Sequence, residues 1–370
     1  MRIAVPKEVK NHEYRVAITP AGVHELTAHH HTVHVQSGAG LGAGVSDEEY
    51  ADAGADIIGD ADATWAAGDM VLKVKEPVAE EYHRLREDQL LFTYLHLAAD
   101  KVLTEELLAR RVTAVAYETV QTATGSLPLL APMSEVAGRL ATQVGAATLL
   151  KAAGGRGVLL GGVPSVAAGH AVIIGAGVSG MNAARIAVGM GARVTLLDTD
   201  ADALRAADRE LGGRVQTLSS NRLTLTHAVL EADLVIGAVL VAGARAPVLV
   251  PDDVVARMRP GAVLVDIAID QGGCFEDSRP TTHEHPTYGV HDCVFYCVAN
   301  MPGAVPRTST YALTNVTLPY VAALADHGWR DALRADATLA HGLTTHDGVV
   351  THPGVAEAHG LEQVPLSDVL

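Results

Sequence analysis

The run His170-Ala-Val-Ile-Ile-Gly175-Ala-Gly177-Val-Ser-Gly180, followed by Val194-Thr-Leu-Leu-Asp198, constrains this chain more than any other stretch. It reads as a buried strand, a glycine turn, a helix over Met181 to Gly191, a second strand, and an acid at that strand's end. Glycine turns alone are common. Here an apolar β-branched run precedes Gly175, and the acid falls eighteen residues after Gly180. That is the arrangement of a dinucleotide-binding βαβ unit. Gly175 permits the tight turn, Gly177 lets backbone approach a pyrophosphate, and Gly180 lets the helix lie close on the strand. The helix N-terminus offers unpaired N–H groups and a positive dipole end to phosphate. Asp198 is expected to accept hydrogen bonds from the adenosine ribose and to repel a 2′-phosphate, which favours NAD over NADP.

A chain of 370 residues suggests two domains. Hydrophobic residues make up 48% and charged residues 19%, enough apolar material for a large core and too little charge for disorder. The net charge of −16 argues against nucleic acid and anionic membrane as partners. No apolar run is long and uncharged enough for a transmembrane helix. Met1-Arg-Ile-Ala-Val-Pro6 reads as a short strand rather than a signal peptide. Cys274, Cys293 and Cys297 have neither disulfide-framework nor zinc spacing. They read as buried free thiols in a reducing cytoplasm, with no metal expected. His29-His30-His31 and His34 read as a solvated surface tract.

Residues 2–6 and 33–36 read as strands flanking a helix over Pro20 to Ala28. Gln36 to Gly44 reads as a flexible glycine loop, because no Lys-Ser/Thr follows to make it a phosphate loop. Asp47 to Ala53 reads as a helix, and Met70 to Val74, Leu90 to Leu95 and Val112 to Ala116 as buried strands. A long helix is expected from Ala131 to Ala153, and further strands at Leu234 to Ala238 and Ala262 to Asp266. Ser309 to Ala325 suggests another long helix carrying Pro319, after which the tail is too small for a domain and should return to the first region. The expected fold is α/β with two domains: a Rossmann doubly wound parallel sheet, residues 129–305, inserted into a discontinuous αβ substrate domain, residues 1–128 and 306–370.

Outside the fingerprint, two stretches carry chemistry. The charged run Lys7-Glu8 to Arg15 closes onto the apolar turn Val16-Ala17-Ile18. Arg15 there offers a planar fork suited to a small carboxylate, although a surface ion pair is the ordinary use of such a residue. Phe92-Thr93-Tyr94-Leu95-His96 puts an imidazole, the natural proton-transfer group near neutral pH, directly after a buried strand. Lysine is scarce, six against twenty-one Arg, so the paired Lys73 and Lys75 in Met70-Val-Leu-Lys-Val-Lys-Glu76-Pro hint at function, although alternating lysines on a half-exposed strand are the ordinary reading of such a run.

The Arg15 segment, the Lys75 segment, Tyr94 to His96, the fingerprint and Asn300-Met301-Pro302 occur together and in order. With Gly157-Val-Leu-Leu-Gly-Gly-Val-Pro164 and Gly175 to Ala184, they make the chain resemble the L-alanine dehydrogenases, in the alanine dehydrogenase/transhydrogenase N-terminal superfamily, along essentially its whole length. The resemblance implies NAD-dependent, reversible oxidative deamination of L-alanine to pyruvate and ammonium. It implies that Arg15 holds the substrate carboxylate and Lys75 its carboxylate or carbonyl oxygen. It gives His96 and Asp270 the acid/base roles, and has Tyr94, Met133, Asn300 and Met301 wall the pocket. Besides the three fingerprint glycines, Ser134, Val178, Asp198, Ser220, Val239, Leu240, Ile267, Asp270, Arg279, Val298 and Met301 correspond to cofactor contacts. Family members are commonly homohexamers.

Two departures from the family stand out. Ala203 replaces a basic residue five positions after the ribose acid, where Arg205 is a possible substitute, and Ala242 and Arg245 replace the usual Pro and Lys of the Leu240 loop. Three competing readings share the scaffold: an NAD-binding transhydrogenase component that oxidises no amino acid, a saccharopine-type dehydrogenase with a wider pocket, and an NAD-sensing protein indifferent to His96.

Overall fold

The computed structural model describes residues 1–239 and 246–370. The chain divides into two compact units, Met1–Met133 with Val305–Leu370, and Ser134–Ala304. Each is built on one sheet flanked by helices, so the class is α/β.

The sheet of the first unit contains β1 (Arg2–Val5), β2 (Thr32–Gln36), β3 (Asp56–Ile58), β4 (Met70–Leu72), β5 (Leu90–Thr93), β6 (Thr113–Ala116), β14 (Leu343–His346) and β15 (Val349–Val350). Their order is β15-β14-β6-β5-β4-β1-β2-β3. The six N-terminal strands pair in parallel, while β14 pairs antiparallel with β6 and β15 antiparallel with β14. The tail thus extends this sheet at its β6 edge. The order of the six parallel strands is that of a doubly wound nucleotide-binding sheet, reversing direction between β1 and β4. Sequence reading anticipated an αβ region here but not this winding.

β4, β5 and β6 are buried at every position, as expected of parallel strands covered on both faces. Their apolar residues Val71, Leu91 and Ala114 share a core with Trp65, Leu103, Leu107 and Val355. The ladder stops earlier than the apolar runs suggest. Met70 to Val74 yields a strand only to Leu72, and Leu90 to Leu95 only to Thr93. Beyond those points the N–H groups of Val74, Lys75, Leu95 and His96 turn to carboxylates instead of a neighbouring strand. The glycine loop after β2 is not open either. A Cβ on Gly42 would lie 2.6 Å from the Tyr14 carbonyl oxygen, so glycine there permits close packing on the Arg15 segment. His29 and His31 both meet Asp326, at 3.3 and 2.9 Å, near the end of the helix Pro306–His327.

The second unit contains β7 (His170–Ile174), β8 (Arg193–Asp198), β9 (Gln216–Ser219), β10 (Leu234–Gly237), β11 (Val263–Asp266), β12 (Thr287–Val290) and β13 (Cys293–Tyr296), in the order β12-β13-β11-β10-β7-β8-β9. All pairings are parallel except β12 with β13 at the edge. This is a Rossmann winding whose order reverses between β7 and β10. Its core gathers Val172, Leu197, Val235, Leu264 and Phe295. All three cysteines are buried here as free thiols. The long helix runs from Ala131 to Thr148, not to Ala153. Leu150 is extended, and Lys151–Ala153 forms a separate short turn that closes on Gly154 at φ +91°.

Candidate active site

In both sheets the residues singled out from sequence lie at the carboxyl ends of parallel strands, the edge where such sheets bind ligands. The two half-sites are described separately.

In the second unit, β7 delivers the fingerprint. Gly175 adopts φ +104°, closed to residues with a Cβ without strain. A Cβ on Gly180 would fall 1.8 Å from the Gly175 carbonyl oxygen, so the helix Val178–Gly189 can lie this close only on glycine. A Cβ on Gly177 would meet nothing within 4 Å, so backbone faces open space. Among the described residues no side chain caps the N-terminus of that helix, which leaves its first N–H groups for a ligand. This cradle fits a pyrophosphate. At the end of β8, Asp198 accepts from Ala176 N–H at 2.6 Å and from Asp200 N–H at 2.8 Å, so its carboxylate is fixed beside the glycine turn. Ser220, just past β9, donates its N–H to the Asp198 carbonyl at 2.8 Å. Ser134 accepts through its carbonyl from Ser179 Oγ at 3.0 Å, tying helix Ala131–Thr148 to the phosphate end. Val239 follows β10, while Leu240, Ala242 and Arg245 lie outside the described residues. Arg205 pairs with Asp202 at 2.6 Å on an exposed helix face.

β11 ends at Asp266, and the short helix Ile267–Gln271 after it carries Ile267 and an exposed Asp270. Asp266 is fully buried. It accepts from Ala268 N–H at 3.0 Å, Cys274 N–H at 2.9 Å and Ser278 Oγ at 2.5 Å. Burial pushes its carboxyl upward, against those hydrogen bonds. One buried acid thus organises the turn that presents Asp270. Arg279 lies over the Tyr288 ring at 4.0 Å and donates its N–H to the Tyr288 hydroxyl at 2.9 Å. Past β13, Val298 is buried, Asn300 adopts φ +60°, and Met301 is 3% exposed. A left-handed Asn is tolerated more readily than most residues.

In the first unit, Arg15 is 2% exposed and gripped by Glu13: Nε donates to Oε1 at 2.7 Å and Nη2 to Oε2 at 2.5 Å. Its Nη1 lies 3.1 Å from the Met133 sulfur. Burial opposes the guanidinium charge, but the hydrogen bonds and charge of Glu13 outweigh it, so Arg15 stays cationic. Sequence reading took Glu13 for part of a charged run, whereas in the structure it fixes the fork. Lys75 Nζ is 4.0 Å from Glu76, which Lys10 also pairs. Burial raises the Glu76 carboxyl, yet the charge of Lys75 and the hydrogen bond and charge of Lys10 bring it below the usual range, with His96 adding to the pull. Lys73 is wholly buried between Glu8 at 3.0 Å and Glu81 at 2.9 Å, not alternating on a half-exposed strand.

β5 ends at Thr93, and Tyr94 and His96 follow. The Tyr94 hydroxyl donates to the Leu129 carbonyl at 2.5 Å, and burial holds its pKa high, so it is neutral and anchored. Its ring stacks on the His96 imidazole at 6.0 Å with an 8° interplanar angle. His96 is exposed and adopts φ +51°, ψ +35°. That conformation costs a non-glycine residue about 1–3 kcal/mol and persists only where surroundings enforce it. Glu118, just past β6, enforces it. Its Oε1 accepts the His96 N–H at 2.6 Å, and both oxygens accept the Leu95 N–H at 3.2 and 3.3 Å. The only sequence signal for Glu118 was an acid directly after a buried strand. Replacing Glu118 with Ala removes a charge-assisted anchor worth about 1.5–3 kcal/mol, so stability should fall by an amount of that order. The midpoint of chemical denaturation checks this.

Chemically, the first unit offers a buried guanidinium, an ammonium and an exposed imidazole at one sheet edge. The second offers a phosphate cradle, a ribose-type acid and an exposed carboxylate at another.

The chain matches the family models described as alanine dehydrogenase/PNT, N-terminal domain, over residues 4–137, and alanine dehydrogenase/PNT, C-terminal domain, over residues 141–353. It is 62% identical to an alanine dehydrogenase of Mycolicibacterium smegmatis, over 96% of each chain. It is 61% identical to one of Mycobacterium tuberculosis, over 98% of this chain and 97% of that protein. Among solved structures it superposes on an L-alanine dehydrogenase with a TM-score of 0.94 at 51% identity, covering 97% of this chain and 99% of the other. A transhydrogenase from Sinorhizobium meliloti shares the fold at a TM-score of 0.83 and 23% identity, over 95% of this chain and 100% of that one. Two family models that together run from residue 4 to residue 353, with relatives above 60% identity along nearly the whole length, place this chain in the alanine dehydrogenase/PNT family.

Proposed function

We propose that the protein catalyses NAD-dependent, reversible oxidative deamination of L-alanine to pyruvate and ammonium. The observation that carries this reading is the coexistence, in one chain of this family, of the fingerprint cradle with Asp198 and of the Arg15, Lys75 and His96 cluster. A cofactor-binding component without amino-acid chemistry has no need of the second set.

Arg15, oriented by Glu13 at Nε and Nη2, takes the substrate carboxylate by its buried guanidinium charge. The Met133 side chain packed against Nη1 restricts bulk at the guanidinium, which favours alanine over lysine-sized substrates. Lys75 binds at the carboxylate or carbonyl oxygen and polarises the carbonyl for attack by ammonia in the reverse direction. His96 accepts and returns a proton at the substrate's amino nitrogen or carbonyl oxygen. Asp270 handles the protons of the water that enters and the ammonia that leaves, so two proton-transfer groups serve two sequential steps. Bound NAD supplies the hydride acceptor. Gly175, Gly177, Gly180 and Val178 hold its pyrophosphate and Asp198 its adenosine ribose. By resemblance Ser134, Ser220, Val239, Leu240, Ile267, Arg279, Val298 and Met301 would contact the rest, and Tyr94 and Asn300 are assigned to substrate binding.

Among the described residues no helix is long and apolar enough to cross a membrane. Leu150, Leu159, Val163 and Val166 are 53–62% exposed on one segment of the second unit, an apolar surface that supports a homo-oligomer, hexameric by family resemblance. The buried free cysteines fit a reducing compartment, which supports the cytoplasm as its location.

Incubation with L-alanine and NAD should release pyruvate, ammonium and NADH in equal amounts; NADH without ammonium would refute deamination. Asp198→Gly should raise kcat/KM for NADP relative to NAD by tenfold or more, because a carboxylate beside a 2′-phosphate costs about 1.4 kcal/mol or more. An unchanged ratio would remove Asp198 as the selector.

A further inference from the structure

Glu8 leaves the carboxyl end of β1, and Lys73, Val74 and Lys75 leave the carboxyl end of β4, its parallel neighbour where the strand order reverses. Both carboxylate oxygens of Glu8 are engaged there. Oε2 accepts from the Lys73 ammonium at 3.0 Å, and Oε1 accepts from Val74 N–H at 2.6 Å and Lys75 N–H at 3.3 Å. Lys73 also donates to Glu81 Oε1 at 2.9 Å, while Glu81 Oε2 accepts the Val78 N–H at 3.1 Å. Glu8, Lys73 and Glu81 are 7%, 0% and 1% exposed.

A buried ion set of this kind is a poor device for stability. Well-packed hydrocarbon of equal volume does as well or better, because desolvation consumes most of the Coulombic gain. Hydrocarbon, however, cannot accept the N–H groups left unpaired where β4 ends. The Glu8 carboxylate takes those of Val74 and Lys75, which lead into the root of the Lys75 side chain, and Lys73 with Glu81 fixes that carboxylate in turn. The field of Glu8 also reaches Glu13 and Arg15. We propose that Glu8 is a positioning residue for substrate binding, with the buried Lys73–Glu81 pair as its support: it sets the backbone from which Lys75 reaches the substrate. This rests on the reading of Lys75 as a substrate-binding group.

The test separates positioning from folding. The triple variant Glu8→Leu, Lys73→Met, Glu81→Leu has no charge to leave unpaired. It should unfold near the wild-type temperature and bind NADH within twofold of wild type, yet show a KM for L-alanine raised tenfold or more. Replacing Glu8 with Gln instead, in the same Lys73→Met, Glu81→Leu background, returns an acceptor oxygen and should recover most of the loss. A triple variant with wild-type KM, or a raised KM that Gln does not lower, overturns the proposal. If the triple variant does not fold, Glu8→Leu alone decides. It leaves Lys73 paired with Glu81, and KM should rise tenfold or more, whereas an unchanged KM overturns the role. Lys75→Met in the same assay distinguishes the two layers. No rise in KM there refutes substrate binding by Lys75 and the positioning role with it. A rise there, with none in the triple variant, refutes the positioning role alone.

Discussion

His96→Ala is expected to lower kcat for L-alanine oxidation by on the order of 10²–10⁴-fold, the usual worth of a positioned general acid/base. The imidazole is exposed, stacked on a Tyr94 ring that is itself anchored to Leu129, and carried on a backbone held left-handed by Glu118. Removing it takes away the proton-transfer group without unpairing anything buried, since the Glu118 contact is to the main-chain N–H and survives in Ala. The phosphate cradle lies in the other unit, so NADH affinity should stay within about twofold, and the loss should appear in kcat rather than in cofactor binding. Single-turnover kinetics beside an NADH fluorescence titration read both quantities. A variant retaining most of its turnover would show that His96 moves no proton, and would favour an NAD-sensing protein on the same scaffold.

Asp270→Asn should have an effect of similar size, on the order of 10²-fold or more in kcat, by a different route. Asn is close in volume and hydrogen-bonding shape but cannot exchange a proton. The turn Ile267–Gln271 is organised by Asp266, whose bonds to Ala268, Cys274 and Ser278 do not involve Asp270. The substitution should therefore leave the local structure and NADH binding intact while imine hydration and ammonia release fail. Rapid quench should show the first hydride equivalent transferred and then little turnover. Wild-type turnover would leave His96 as the sole proton-transfer residue.

What could be read from the sequence followed local rules. The fingerprint, its three glycines and Asp198 were legible because tight turn, close helix packing and acid all fall within thirty residues and each needs a particular residue type. The buried parallel strands showed as apolar runs. Their ends did not, because the runs continue through Val74 and Leu95 while the ladder stops. What replaces it, Glu8 and Glu118, is supplied from 66 and 23 residues away. The left-handed backbone at His96 was equally invisible, since histidine only tolerates it more readily than most residues and a distant carboxylate imposes it. Lys73 is the sharpest case. An alternating Lys-Val-Lys run suggests a half-exposed strand, yet two acids on other segments bury the first lysine completely. The Rossmann-like winding of the first unit was hidden for the same reason, as strand order is fixed by pairings between segments far apart in sequence.

The most direct test of the account is the rate of NADH formation from NAD with L-alanine, measured beside L-serine, L-lysine and NADP. The account predicts rapid turnover with L-alanine and NAD, and at least tenfold lower kcat/KM for each of the others, from the Met133 side chain packed against Arg15 and the carboxylate of Asp198. Tight NADH binding with no turnover on any amino acid would contradict it, and would leave a cofactor-binding component in its place.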